Sequence, residues 1–266
     1  MSFKILLGAD PEVFVKRNGV FHSAHGLIPG DKKNPFKVDK GAVQIDGMAL
    51  EFNIEPAHSC DEFVTNISTV FQILKGMVPE YQIVTIPVAD FTEEVMKAQP
   101  KEALELGCDP DFNAWSGMEN VKPNADKPMR TAAGHIHVGW TNGQDIHDFN
   151  HQSSCHSVVK QLDFYLGLPS LFIDDDVRRR SMYGKAGCLR YKSYGVEYRT
   201  LSNAWLSSVE YMKWVYQNTL EGMKNLMEGN RLVEKYGDIQ QIINTSDKDS
   251  AYQIIQAEGI IIPQGV

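Results

Sequence analysis

The chain has 266 residues, 42% of them hydrophobic and 23% charged, with a formal charge of -8 at pH 7. That length carries a sizeable core, and the composition is that of an ordinary soluble globular protein. The acidic balance excludes a broad nucleic-acid surface, whose footprint is basic, and fits a carboxylate-rich site that recruits divalent cations.

Cys60, Cys108, Cys155 and Cys188 are scattered, with no Cys-x-x-Cys pair. The pattern reads as reduced thiols rather than a zinc site or a disulfide framework. The first apolar run, residues 5–7, meets Asp10 almost at once, too early for a signal-peptide core. No segment approaches the length of a membrane-spanning helix, so the expected location is the cytoplasm.

Residues 3–22 read as a strand, a turn and a second strand, with Asn18-Gly19 as the hairpin signal. Asp10 and Glu12 share one strand face and Val13 and Val15 the other, although Asp10-Pro11 also suits a turn. Residues 26–36 are loop-like. Residues 42–56 read as a strand whose one face carries Glu51, Asn53 and Glu55 and whose other carries Leu50, Phe52 and Ile54. No lysine or arginine interrupts the acidic face, so these groups repel unless a cation lies between them; a solvated sheet face is the alternative.

Ser59-Cys60-Asp61-Glu62 is a capping box opening an amphipathic helix that Gly76 and Pro79 stop. Residues 81–88 read as a strand, and short helices parted by Pro100 fill 92–106. The run Leu106-Gly107-Cys108-Asp109-Pro110-Asp111 echoes Leu7-Gly8-Ala9-Asp10-Pro11-Glu12, which fits either two strands meeting at one cleft or a coincidence of Asp-Pro turns. Residues 116–130 are loop-like and lead, as a lid would, into residues 133–140.

There His135 and His137 alternate with Ile136 and Val138 between Gly134 and Gly139. In a strand both imidazoles face one way and both aliphatics the other, as on the floor of a site. Two satisfied histidines on a sheet edge are the plainer alternative. A helix of about 15 to 20 residues follows Asn142-Gly143. Its His147 and His151 stand four apart without the Glu of a His-Glu-x-x-His motif, and read as a solvated helix face.

Three arginines, Arg178, Arg179 and Arg180, then precede a glycine-spaced loop carrying Lys185 and Arg190. Arginine forks and close backbone approach suit a polyphosphate, though adjacent arginines cannot all point inward. Glu197 and Arg199 share a strand face beyond it, as ligands or as a structural ion pair. Past Trp205 the chain is mostly helical, and nothing after residue 230 looks catalytic.

In order, GADPEVF (8–14), DGMALEFNIEP (46–56), GHIHVGW (134–140) and RRRSMYGKAGCLRYKSYGVEYRTLSN (178–203) resemble carboxylate–amine ligases of the glutamine synthetase/glutamate–cysteine ligase superfamily, above all its compact phage-type COOH·NH2 ligases. The resemblance covers residues 8 to about 205. It implies an α+β fold in one domain over residues 1–266: a curved, mainly antiparallel sheet backed by helices, with a helical part at 206–266. It also implies ATP and two or three magnesium ions, with manganese as a substitute, and amide formation through an acyl phosphate.

Carried over position by position, Glu12, Glu51, Glu55 and Glu197 resemble metal-binding carboxylates, with Asp10 nearby. His135 resembles a metal or phosphate contact and His137 its close alternative. Arg180, Lys185, Arg190 and Arg199 resemble contacts to the phosphates or the acyl phosphate. The partners implied are a small-molecule or peptide carboxylate and an amine, with no nucleic acid and no membrane; a homo-oligomer is compatible. A separate N-terminal domain and an ammonium-site loop have no counterpart, which counts against ammonia as the amine. A metal-dependent amide hydrolase is the competing enzyme class, although it has little use for the arginine-rich loop. The non-enzymatic alternative is an inactive sheet domain that binds a peptide or cell-wall fragment.

Overall fold

The computed structural model describes residues 4–104, 110–121 and 128–263; Cys108 and Asp109, and residues 122–127 of the expected lid, lie outside them. The centre is β1 (Leu6–Arg17), joined through Asn18 (φ 52°) and Gly19 (φ 80°) to β2 (Val20–His22). Two left-handed residues make the tight turn that the right-handed twist of a hairpin requires. Then come β3 (Phe36–Val38), β4 (Gly41–Asp46) and β5 (Ala49–Ile54). The stretch 42–56, expected as one strand, is therefore a hairpin: Gly47 turns it at φ 57°, and Gln44 pairs with Glu51.

Helix α1 (Cys60–Met77) starts where expected. Ser59 Oγ accepts from the Glu62 amide at 3.2 Å, while Glu62 accepts from the amide of His58 at 2.7 Å, one residue earlier than a strict capping box. The expected strand at 81–88 is two pieces, β6 (Gln82–Val84) and β7 (Val88–Asp90), interrupted around Pro87. They join different sheets, β6 pairing with β1. Helices α2 (Glu93–Lys97) and α3 (Lys101–Leu104) flank Pro100. After β8 (Phe112–Asn113), β9 (Met129–Thr131) pairs with β7 apart from the main sheet, and β10 (Gly134–Gly139) carries the paired histidines.

Helix α4 (Phe149–Leu162) runs through a π turn, Asp163–Gly167, into α5 (Leu168–Ser170). His147 is exposed, but His151 is buried and its Nε2 lies 2.8 Å from the Lys192 carbonyl, while His156 meets the Tyr191 hydroxyl at 2.7 Å. Those two histidines tie the helix to the sheet rather than face solvent. The remaining elements are α6 (Val177–Met182), β11 (Cys188–Lys192), β12 (Gly195–Tyr198), α7 (Val209–Met227), α8 (Leu232–Tyr236), α9 (Gln240–Asn244) and α10 (Lys248–Glu258).

The described strands form a ten-stranded sheet in the order β3-β4-β5-β1-β10-β12-β11-β8, with β2 and β6 also on β1. Every pairing in it is antiparallel. The fold is α+β, a large antiparallel sheet with helices. Alternation gives it a dry face and a wet face. Leu7, Ala9, Val13, Val15, Phe52, Ile136, Val138 and Val196 pack with α1, α4 and α7 in one core. Asp10, Glu12, His135, His137 and Glu197 take the other face.

The turn alternative for Asp10-Pro11 does not hold, since Asp10 pairs with His135 and Pro11 with Gly134 inside the ladder. Proline lacks a donor, which a central strand rarely tolerates. Here Gly134 gives its own amide to Leu201 (3.0 Å) and its carbonyl to the Trp205 indole (3.1 Å), so it asks nothing of Pro11. A Cβ on Gly134 would lie 2.3 Å from both the Ser202 carbonyl and that indole nitrogen, so only glycine fits.

Candidate active site

Strand register assembles the wet face. Asp10 pairs with His135, Gly8 with His137, His137 with Glu197 and Glu197 with Arg190, across β1, β10, β12 and β11. Gly8 has no side chain, so His137 leans across to Asp10, with Nε2 3.0 Å from Oδ1. Its Nδ1 meets the Tyr194 hydroxyl. His135 Nδ1 lies 3.5 Å from both Asp10 and Glu197. Donor atoms of Asp10, His137 and Glu197 all lie within 4.8 Å of one another, a spacing that a single cation can bridge.

Glu197 is wholly buried and ringed by cations: Arg199 in direct contact, Lys192 at 2.9 Å and Arg190 at 3.5 Å. Arg199 also reaches Asp111 at 3.4 Å. Burial alone would push the Glu197 carboxyl up, but Arg199 and the two histidines hold it well below the usual range. Asp10 is depressed likewise: His137 and His135 outweigh its burial. Burial and Arg199 together lower His135 to about 4, whereas Asp10 overcomes burial to raise His137.

On the other side of β1, Glu12 stands opposite Glu51 of β5. Glu12 accepts the Ala133 amide at 2.9 Å, and Glu51 accepts from Gln44 at 2.7 Å. Here the nearest lysine, Lys32, is taken by Asp46 at 2.8 Å. Burial, reinforced by Asp46, pushes Glu12 up to about 7. Burial, with Asp10, Asp46 and Glu12 around it, raises Glu51 well above its ordinary value.

Two cavities among the described residues share Asp10, Gln44 and Glu51 as a common wall. The smaller, about 220 Å³, holds Glu12, His135, Arg179, Arg190 and Arg199 in its lining. The larger, about 730 Å³, is bounded by His137 and Tyr194 on one side and by Leu6, Ile54, Pro56 and Trp140 on others.

Of the residues singled out in the sequence, the fold gathers Glu12, Glu51, His135, His137, Arg190, Glu197 and Arg199. Three are left out. Glu55 lies past the end of β5, with its side chain 63% exposed and Lys40 at 4.0 Å. Lys185 is exposed and lines neither cavity; its carbonyl accepts from Thr200 at 3.1 Å. Arg180 is buried away from the cleft, against the Asp174 carbonyl (3.0 Å) and Ser246 (3.2 Å). Consecutive residues on a helix diverge by about 100°, so the member of the trio that lines the smaller cavity is Arg179. It donates to the Thr200 and Leu201 carbonyls, and Arg178 stays outside with Asp176 and Asp90. Gly184, at φ 69°, lies so close that a Cβ would sit 2.3 Å from Arg179 Nη1.

Several site residues carried little sequence signal. Asp46 and Gln44 follow from the hairpin at Gly47, and Lys192 stands two residues after Arg190 on the same face. Lys32 arrives from a loop and Tyr194 from a turn, where no periodicity points. Cys60, Cys155 and Cys188 line neither cavity, and burial pushes the thiols of Cys155 and Cys188 up to about 12. No helix among the described residues is long and apolar enough to cross a membrane.

Residues 118–245 match the family described as phage phiEco32-like COOH.NH2 ligase-type 2, which agrees with the family that the motifs resemble. The matched span contains β10, β11 and β12 and the loop before β11. No curated protein matches the chain.

Proposed function

We propose, from the match of residues 118–245 to a family of COOH.NH2 ligases, that the chain is an ATP- and magnesium-dependent ligase working through an acyl phosphate on a glutamine synthetase-like sheet. The observation that carries this reading is the juxtaposition on one sheet face of a carboxylate–histidine cluster and converging arginines. Phosphoryl transfer asks a protein for positioning and charge neutralisation rather than for a nucleophile.

The donor set suits magnesium. Asp10 Oδ1, His137 Nε2 and Glu197 Oε2 are buried atoms held by ion pairs alone, the first two with each other and the third with Lys192, and a cation bound there would replace those pairings. Glu12 and Glu51 supply a second carboxylate pair. Magnesium binds through a few carboxylates plus substrate phosphates and, when bound, offsets the charge on those phosphates.

The larger cavity has room for a nucleoside beside Trp140. The smaller one, with Arg179, Arg190 and Arg199 in its wall, suits the carboxylate substrate and the phosphoryl group passing to it. A substrate carboxylate oxygen attacks the γ-phosphorus and ADP leaves. The amine then attacks the acyl carbon, loses a proton and expels phosphate that carries the carboxylate oxygen. Arg190 and Arg199 hold the oxygens that gain charge. A metal-dependent amide hydrolase could use the same acids and histidines, but the arginine wall would then hold only the chain's own Glu197 and Asp111.

Oxygen-18 in the substrate carboxylate tests the mechanism: the label is expected in inorganic phosphate, with ADP as the other product. AMP and pyrophosphate, or unlabelled phosphate, would overturn the acyl phosphate.

A further inference from the structure

On the dry side of the sheet lies a buried carboxylate with no part in the cleft. Asp163 opens the π turn between α4 and α5 and is fully buried. Such turns shift the helix register locally and recur near functional positions. Four donors converge on it. Trp115 Nε1 reaches Oδ2 at 2.7 Å, the Tyr198 hydroxyl reaches Oδ1 at 2.8 Å, and Thr200 Oγ1, whose single proton is shared with the Lys185 carbonyl at 3.1 Å, stands 3.3 Å from the same oxygen. The Gly187 amide is the fourth. A Cβ at Gly167 would come within 3.1 Å of the Tyr198 oxygen and 3.3 Å of Asp163 Oδ1, so the glycine leaves room for their contact.

Two of these donors flank Arg199. Alternation sends Tyr198 and Thr200 to the dry face and Arg199 to the wet one. Strand β12 ends at Tyr198, so Arg199 stands just past its ladder, and its backbone amide is held by the Cys188 carbonyl at 2.9 Å. Its guanidinium nonetheless meets Glu197, Asp111 and His135 together. An arginine side chain has large rotamer freedom, so that placement needs a firm base. Arg179 supplies part of it through the Thr200 carbonyl at 2.8 Å, and Asp163 grips the side chains on both sides of Arg199.

We propose that Asp163 is a positioning residue for Arg199: by holding Tyr198 and Thr200 from behind the sheet, it sets the guanidinium among Glu197, Asp111 and His135. The consequence for catalysis rests on the ligase reading; the positioning itself does not.

The test is solvent exchange of the Arg199 Nε–H in the full chain labelled with 15N-arginine, the resonance being assigned by its loss in Arg199→Lys. Asp163→Asn and Thr200→Val should each speed exchange by about fivefold or more, the factor that one ordinary hydrogen bond contributes. Trp115→Phe, which removes a donor to Asp163 without touching residues 198–200, should leave exchange within about twofold, as for a change with no link to the site. Unchanged exchange in both folded variants would overturn the proposal. So would equal acceleration in all three, which marks general loosening. If Asp163→Asn fails to fold, Tyr198→Phe, which removes the 2.8 Å bond to Asp163, decides together with Thr200→Val: acceleration in both supports the proposal and unchanged exchange in both overturns it. Where turnover can be followed, Thr200→Val should lower kcat and leave the nucleotide KM unchanged. Absence of any turnover in the unaltered protein would count against the ligase reading and leave the exchange result standing.

Discussion

The two halves of the wet face treat buried carboxylates in opposite ways. On the β10-β12-β11 side Glu197 is surrounded by Arg199, Arg190 and Lys192, and Arg199 with the two histidines holds its carboxyl well below the usual range. On the β4-β5-β1 side Glu12 and Glu51 have an amide, a glutamine and one another, and burial pushes both upward. Residue type is the same, and the more deeply buried Glu197 is the one held low while the partly buried Glu12 and Glu51 are pushed up, so neighbours rather than burial decide the difference. In one half the chain's own cations balance the buried carboxylate. The other reaches balance only by holding protons or by admitting a cation.

The largest effect is expected in the balanced half. Glu197→Gln leaves Arg199, Arg190 and Lys192 facing a neutral group, and breaking a buried ion network from one side costs about 3 to 5 kcal/mol. Urea unfolding should show that loss, together with loss of ligase activity. A cost below about 1 kcal/mol, the range of a surface pair, would mean that the network is not what holds this half.

In the other half the sign reverses. The folded pKa of Glu12, about 7, lies above its ordinary 4.5. The native state therefore binds more protons than the unfolded chain between these values, and stability falls as pH rises through that window. Glu12→Gln removes the penalty. It should stabilise the ligand-free protein by on the order of 3 kcal/mol above pH 7 and by nothing below about pH 4.5. Glu51→Gln should act in the same direction, and both should abolish magnesium-dependent turnover. Equal melting curves at pH 5 and pH 8 in variant and parent would erase the contrast between the halves.

Arg190→Ala should weaken nucleotide binding or slow phosphoryl transfer by about 1.5 to 3 kcal/mol, the contribution of a hydrogen bond to a charged group. Lys185→Ala and Arg178→Ala should stay within about 0.5 kcal/mol, as surface changes do. Equal effects at all three positions would return the phosphate contacts to the loop. The smallest effect is expected at Cys60, half-buried and outside both cavities, whose change to Ser should leave turnover intact. Inactivation would require a thiol step that the acyl-phosphate route lacks.

Alternation made the main features legible. His135 and His137 with dry neighbours, Asp10 with Glu12, and Glu197 with Arg199 all read correctly because period two is local and survives folding. Arg180 and Lys185 did not, because a run of basic residues says nothing about which helix face or loop side meets the cleft. Glu55 kept the parity of Glu51 but fell beyond the last ladder pair, and parity alone does not mark where a strand ends. Gly47 falls inside the expected strand 42–56, although Asp46-Gly47 is itself a turn signal. Asp111, marked by the echo of Asp10-Pro11-Glu12, does line the smaller cavity with Asp10 and Glu12, whereas Lys32 and Tyr194 reach the cleft through long-range packing, for which one sequence has no periodic trace.

The most direct measurement is calorimetric titration of magnesium into the protein with ATP present, at pH 6.5, in buffers of different ionisation enthalpy. A cation that settles between Glu12 and Glu51 must displace their protons. Binding should therefore release at least about one proton per chain, a release that Glu51→Gln reduces. Magnesium that binds with no proton release, or ATP that binds equally well without the metal, would contradict the account.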